Sequence, residues 1–374
     1  MNLDRRDFIK CSTAGLAGLA GAPSGATASP AEAAQAAKAD ADAAKRLVIP
    51  DEKDRLRRIA SCTWPIRSIF KTRGQGGQTT QQLKQKYGEI TMLDFPQFTK
   101  DMFPGVTRMD LFSGLFGDVT DDSMFTRRQD GGIGTFDPST PSGRKWLDRL
   151  VAKMAATGVQ CQHISNNAPT NLASGDEALR KAGVDVGKKW LDAGKIIGAK
   201  SVRMNSPQAL GPSVRPQAVP RSSDGYPRNV DIQPLLDKAI ESYKEMADYG
   251  GTLGIRVTLE NHWGLAADPM NIRIIIDECD NPYCEASPDF CNWEYDDMLF
   301  SGLKALAPYA HTNVHAKYWD RWGDRNDVRR STRIMMAAGF TGTFALEYEA
   351  GPLNGIEGAQ YLYKEVLAAL SEAT

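Results

Sequence analysis

No window of about 18 apolar residues occurs in the chain, so nothing in it reads as a helix able to span a bilayer. Basic side chains are not in excess either. Lys and Arg total 45 against 46 Asp and Glu, and no Lys/Arg-rich block breaks that balance, which removes the positive field a nucleic acid would need. No C-x-x-C spacing is present, and this argues against a cysteine-ligated zinc. With 41% hydrophobic and 24% charged residues in 374, the rest of the composition is that of an ordinary soluble globular protein with material for a sizeable core.

The N-terminus is not part of that core. "LDRRDFIKCSTAGLAGLAGAPSGATA" carries Arg5 and Arg6, Phe8, a short weakly apolar stretch, and small residues at Ala26, Thr27 and Ala28. It resembles a Tat export signal cut after about Ala28, so residues 1–28 are expected to leave and the mature protein to be periplasmic or otherwise exported. Residues 29–55 are rich in Ala, Asp and Lys and poor in large apolar side chains. They read as a low-complexity tether with some helix. Cys11 goes with the signal. The odd number that remains, Cys62, Cys161, Cys279, Cys284 and Cys291, leaves at least one free thiol, and whether Cys279 pairs with Cys284 stays open.

From about residue 56 to 374 a unit repeats: a short apolar run, a polar or Gly-rich segment, then a pattern of period 3.6 closed by glycine. Eight runs read as strands: "RIASCTW", "VTRMDLF", "VQCQHIS", "KSVRMNS", "IRVTLEN", "CEASPDF", "HTNVHAK" and "TFALEYE". Between them, "RKWLDRLVAKMAATG" and "QPLLDKAIESYKEMADYGG" each carry one apolar stripe, with ends expected at Gly158 and Gly250. Eight such units predict an α/β fold, a (β/α)8 TIM barrel with long βα loops after strands two (113–143) and four (206–232). Both loops follow strand C-termini and are expected to wall a pocket. An open doubly wound sheet would want a Gly-rich phosphate turn after its first strand, and "SCTWPIRSIF" has none.

In a barrel, polar residues at strand C-termini point into the mouth. Strand five ends in Glu260, six in Asp289 and Asn292, seven carries His315 and Lys317, and eight carries Glu347 and Glu349. Earlier strands end in Trp64, His163, Arg203 and Asn205, and His262 follows strand five. Three converging carboxylates repel one another in a partly desolvated pocket unless a cation compensates. Glu260, Asp289, His315 and Glu347 together make a hard site with one imidazole, suited to one divalent ion, Mn²⁺ best, with Mg²⁺, Co²⁺ or Zn²⁺ also fitting. Trp64, His163, Arg203, Asn205, His262, Asn292 and Lys317 are the expected substrate contacts. His311 precedes its strand and belongs on the bottom face or surface.

"IRVTLENHWG", "SPDFCNW", "NVHAKYWD" and "GFTGTFALEYE" resemble the last four strands of the xylose isomerase-like TIM barrels, the sugar isomerase/epimerase superfamily. "RIASCTWPIR" and "LDFPQFTKDMFPGVTRMDLF" extend the resemblance over about 59–370. It implies the same four metal ligands: the Glu ending strand five, the Asp ending strand six, the His of an H-x-K segment and a Glu on strand eight. Two departures stand out. The family's D-x-x-H reads Asp289-Phe290-Cys291-Asn292 here, and the usual strand-two Glu is Asp110. Glu347 is preferred over Glu349 from its spacing after "GFTG".

The chemistry implied is proton abstraction beside a metal-bound carbonyl, with Glu260 and Glu347 taking and returning the proton through a cis-enediolate. Export points to a non-phosphorylated sugar or keto-sugar. A 3-keto-glycoside lyase or deglycosidase would use the same site, and a catalytically silent sugar-binding barrel is the reading of another class. The abasic-site nucleases of the superfamily need more histidines than the four present. A small carbohydrate is therefore the expected partner, without nucleic acid, and a homo-oligomer is compatible with the sequence.

Overall fold

The computed structural model describes residues 48–49, 51–74, 76–204 and 231–372. The segment expected to be an export signal, most of the expected tether, Asn205 and the long connection after the fourth expected strand lie outside these residues. In chain order the described elements are α1 (Glu52–Arg57), β1 (Ile59–Cys62), α2 (Gln78–Tyr87), α3 (Phe95–Met102), β2 (Arg108–Phe112), β3 (Phe125–Arg127), β4 (Ile133–Phe136), α4 (Pro141–Thr157) and β5 (Gln160–Ser165). There follow α5 (Glu177–Ile197), β6 (Ser201–Arg203), α6 (Gln233–Leu253), β7 (Arg256–Leu259), α7 (Pro269–Cys279), β8 (Cys284–Ala286), α8 (Met298–Leu306), β9 (Asn313–Trp319), α9 (Val328–Ala337), β10 (Thr343–Ala350) and α10 (Gly355–Ser371).

Eight strands pair in parallel in the order β8-β7-β6-β5-β2-β1-β10-β9. The ring closes between the residues after β8 and β9, where Asp289 bridges His315. There the Phe290 amide donates to the His315 carbonyl at 3.1 Å and the His315 amide to the Pro288 carbonyl at 3.0 Å. This is the expected (β/α)8 barrel: six of the eight runs read as strands contain one of its strands, and the last two overlap β9 and β10, which run on to Trp319 and Ala350.

Period-two alternation assigns the strand faces. Val257 and Leu259 of β7, Val314 and Ala316 of β9, and Phe344 and Leu346 of β10 belong to one large apolar core shared with the helices. Ala60, Cys62 and Ala345 form a separate small cluster with Trp64, the apolar remnant of the barrel interior.

Helix ends follow local chemistry. Thr140, Asp176 and Asn354 cap α4, α5 and α10 with side-chain oxygens that accept early backbone amides. Gly158 ends α4 in the left-handed region, φ 73°. The expected end at Gly250 is displaced, because α6 continues through it to a cap at Gly254. Gly250 serves a different purpose: a Cβ there would lie 2.5 Å from the Ile255 carbonyl, so glycine lets the helix approach its own return strand.

The segment read as tether up to residue 55 joins the body earlier. The Ile49 amide donates to the Leu370 carbonyl at 2.9 Å, and Ile49 and Leu56 pack on the core. The loop after β2 also departs from expectation. It holds the hairpin β3–β4, and its Phe116 and Phe136 pack against Trp146 of α4 and Trp190 of α5. It therefore covers helices, and none of its residues from 113 on lines the pocket described next.

Candidate metal centre and pocket

His315 is fully buried on β9 and both its ring nitrogens are committed in direction. Nε2 lies 2.9 Å from Asp110 Oδ2. Asp110 is itself held by Ser165 Oγ at 2.7 Å and Asn313 Nδ2 at 3.0 Å. That leaves Nδ1 facing three carboxylates: Glu260 Oε1 at 3.5 Å, Glu347 Oε2 at 3.5 Å and Asp289 Oδ2 at 3.9 Å. His315 Nδ1 and Asp289 Oδ2 are buried and have no hydrogen-bond partner. Buried polar atoms without partners are costly. Two such atoms beside two further carboxylate oxygens make a donor set that fits a divalent cation, and Asp110 is placed as a carboxylate that fixes the tautomer of the His315 imidazole. Ligand atoms of Glu260, Asp289 and His315 lie within 4.8 Å of one another, and Glu347, the fourth expected ligand, stands beside them with Oε2 3.5 Å from His315 Nδ1.

Each ligand is set by its neighbours. Asp289 Oδ1 accepts the amides of Cys291 and Asn292 at 2.7 and 2.9 Å, which turns Oδ2 inward. Asn261 clasps that turn, accepting the Asp289 amide at 2.7 Å and donating to its carbonyl at 2.9 Å. Glu260 is gripped by Arg203 Nη1 and by Asn292 Nδ2, the latter at 2.9 Å. Lys317 Nζ lies 2.9 Å from Glu347, 3.2 Å from Glu349 and 3.4 Å from Asp289.

Five carboxylates here, Asp110, Glu260, Asp289, Glu347 and Glu349, share two permanent cations, Arg203 and Lys317. The deficit of positive charge appears in the titration of the groups. Burial pushes Asp289 up to about 6, with Glu347 adding to it against Lys317 and His315. Burial also acts against the charged form of Glu347, but Lys317 and His315 outweigh it and its carboxyl lies below the usual range. For Lys317, burial is overcome by Asp289, Glu347 and Glu349, and the ammonium is held well above its ordinary value.

Above these groups a cavity of about 210 Å³ is lined by Trp64, Phe112, Ser165, Asn167, Arg203, His262, Trp263, Asn292, Lys317, Trp319, Glu347 and Glu349. It is smaller than the ~300–1,000 Å³ of drug-sized pockets, which matches a small polar molecule. Of the expected substrate contacts, Trp64, Arg203, His262, Asn292 and Lys317 line it. Asn205 lies outside the described residues. His163 is not in the wall. It sits beneath it in the barrel interior, 6.0 Å between ring centroids from His315, and burial lowers its pKa to about 3.

Glu347 and Glu349 both lie within β10, which runs to Ala350, so Glu349 is not on the following loop. Glu347 faces His315, whereas Glu349 stands at the rim and accepts Trp64 Nε1 at 2.7 Å. His262 Nδ1 is buried without a partner, and the ring is kept neutral first by burial and then by Arg203 and Lys317. Asp110, Ser165, Asn167, Phe112, Trp263 and Trp319 were not among the expected site residues. Phe112 carried a signal like that of the ligands, a position at a strand's C-terminal end, whereas Asp110 lies in the middle of β2. Asn167 lies in a loop, where no periodicity marks it, yet it accepts Arg203 Nη2 at 2.6 Å.

A family model described as xylose isomerase-like TIM barrel matches residues 124–371. Among solved structures, the chain is similar to a xylose isomerase-like TIM barrel protein from Mycobacterium smegmatis in complex with magnesium. Identity is 17% and the TM-score 0.54, over 84% of this chain and 98% of the other. It is also similar to a 3-keto-D-glucoside 4-epimerase from E. coli, at 13% identity and TM-score 0.53, over 82% and 99%. An L-ribulose 3-epimerase gives 13% and 0.55, over 84% and 94%. At such identities the likeness is one of fold. No curated protein sequence matches the chain.

Proposed function

The chain belongs to the xylose isomerase-like TIM barrel family, and from that premise we propose that it is a divalent-metal-dependent isomerase or epimerase acting on a non-phosphorylated sugar or keto-sugar. The observation that carries the reading is the convergence of Glu260 Oε1, Asp289 Oδ2 and Glu347 Oε2 on the unpartnered His315 Nδ1. These four residues would hold the ion. Their donor set suits Mn²⁺ best, and Mg²⁺, Co²⁺ or Zn²⁺ would also be accepted. When bound, the ion supplies Lewis acidity toward a substrate carbonyl and its neighbouring hydroxyl.

The remaining work falls to the side chains. Glu347 is ionised at neutral pH beside Lys317 and serves as the base that takes a carbon-bound proton. Glu260 reaches the centre from a strand three places away around the barrel and serves as its counterpart, oriented by Arg203 and Asn292. Lys317 holds Glu347 in place and offers a proton donor to a substrate oxygen, while neutral His262 and rim Glu349 are placed to bond sugar hydroxyls. Trp64, Phe112, Trp263 and Trp319 give apolar walls that exclude water. Among the described residues, the cations lining the pocket are both engaged by carboxylates, so nothing there is left for a phosphate. The Arg5–Arg6 signal supports export, and a periplasmic sugar is the corresponding substrate source.

NMR in D₂O with a panel of aldoses, ketoses and 3-keto-glycosides, using Mn²⁺-treated protein, tests the reading. Solvent deuterium at one substrate carbon is expected. Loss of a β-substituent with that exchange would mean a lyase, and no exchange with any sugar would leave a binding barrel. In parallel, His315→Ala is expected to lower bound metal by a large factor in a folded protein; retained stoichiometric metal would move the site elsewhere.

A further inference from the structure

A TIM-barrel interior is ordinarily filled by layers of branched apolar side chains. Here a line of polar groups continues below the metal centre to the opposite end of the barrel. His163 Nδ1 lies 2.7 Å from Ser201 Oγ. Ser201 Oγ lies 2.8 Å from Thr312 Oγ1, and Thr312 Oγ1 bonds Glu285 Oε1, which also accepts the Thr312 amide at 3.1 Å. Glu285 is 1% exposed. Among the described residues the cation facing it is Arg256 on β7, with Nη1 3.4 Å from Oε2, and the thiol of Cys284 is its titratable neighbour on its own strand. Arg256 and Thr312 line a cavity at the N-terminal ends of the strands, so solvent approaches the lower end of the line.

At the upper end, one ring nitrogen of His163 is within 4.8 Å of both an Asp110 oxygen and a ring nitrogen of His315. His163 Nε2 has no hydrogen-bond partner. The ring does not charge near neutrality, so what can vary is which nitrogen carries the proton.

Each hydroxyl in the line has one proton to donate, and this makes the line directional. With Glu285 ionised it accepts from Thr312, whose single hydroxyl proton is then withdrawn from the bond it is placed to donate to Ser201; the Ser201 hydroxyl turns to donate to Thr312 Oγ1 and accepts from His163 Nδ1–H, which leaves Nε2 bare. With Glu285 protonated every bond reverses: Glu285 donates to Thr312, Thr312 to Ser201, and Ser201 to a bare Nδ1, so the ring proton is on Nε2. The second state holds one proton more. That proton is taken up from solvent onto Nε2, while the former Nδ1 proton passes through the two hydroxyls onto Glu285.

We propose that Glu285, Thr312 and Ser201 form a relay that sets the tautomer of His163, and thereby the charge distribution beside Asp110, the carboxylate that orients His315. Glu285 is a positioning residue acting from the far end of the barrel. The effect on metal rests on the proposed metal centre; the tautomer switch does not. Burial raises Glu285 to about 7, against Thr312 and Arg256, and this places the switch in the neutral range.

The test is ¹H–¹⁵N NMR of the histidines in the full, metal-free chain between pH 5 and 9, which distinguishes Nδ1–H from Nε2–H rings. His163 is expected to change from the Nε2–H to the Nδ1–H form as the pH rises through about 7. Glu285→Gln cannot ionise and Thr312→Val cannot relay, so either should abolish the change, while Thr312→Ser should restore it. A His163 tautomer constant with pH in the unaltered protein would overturn the proposal, as would a switch that survives in Glu285→Gln or Thr312→Val. Mn²⁺ affinity follows pH in any case as the ligand Asp289 titrates near 6, so it is the component near 7 that Glu285→Gln should remove. A tautomer switch in a protein that binds no Mn²⁺ would keep the relay and remove the metal centre.

Discussion

Apart from the small inner cluster of Ala60, Cys62 and Ala345, the two faces of the same strands differ in kind. Along β9, Val314 and Ala316 turn outward into the apolar shell beneath the helices, while Asn313, His315 and Lys317 turn inward to bond Asp110, the carboxylate cluster and Asn292. On β10 the outward set is Phe344 and Leu346 and the inward set Thr343, Glu347 and Glu349. The outer face gains free energy from area removed from water and tolerates any arrangement that fills space. The inner face is a connected polar network, in which each member must meet a partner or cost several kcal/mol. The fold therefore separates stability from chemistry by a one-residue step along each strand.

Substitutions on the two faces should separate in the same way. The largest effect is expected inside: Glu347→Gln should lower turnover by a factor of about 10³, as loss of a general base commonly does, with little change in melting temperature. Glu349→Gln should leave Mn²⁺ binding nearly intact. If their effects were reversed in a titration and rate assay, the inner register would be shifted by two residues.

On the outer side, Leu147→Ala in α4 removes a fully buried side chain and should cost about 3 kcal/mol in denaturant unfolding. Metal affinity of the folded fraction should not follow. Coupled loss of both would mean that the shell and the network are not separable.

A third measurement concerns the lower end of the inner face. The folded value of Glu285, about 7, lies above its ordinary 4.5. Its contribution to stability is therefore fully present below about pH 4.5 and is lost as the pH rises through about 7. Across that window the unaltered protein should lose up to about 3 kcal/mol relative to Glu285→Gln, read from unfolding curves at several pH values. Parallel pH profiles would show that Glu285 does not titrate there.

The smallest effect belongs to the helical layer. Asn354 accepts the Ile356 and Glu357 amides at 3.0 and 3.1 Å, so Asn354→Ala should cost about 1 kcal/mol in thermal or denaturant unfolding. Turnover should be unchanged.

The sequence by itself determined the eight strands and the helical stripes, because burial of one face writes a period of 2 or 3.6 into the chain. It also marked Glu260, Asp289, His315 and Glu347, since a charged residue at the end of an apolar run has few places to go except the mouth of a barrel. Tertiary structure alone decided the rest. Nothing in "VQCQHIS" tells that His163 lies beneath the pocket and not in its wall, because strand ends do not record depth along the barrel axis. The pairing of Asp110 with His315, 205 positions apart, and the line from His163 through Ser201 and Thr312 to Glu285 join residues from separate strands. Such contacts leave no local periodicity. They exist only once ring closure brings the inner faces of those strands into one volume, where a polar atom must find its partner across the barrel and not along the chain.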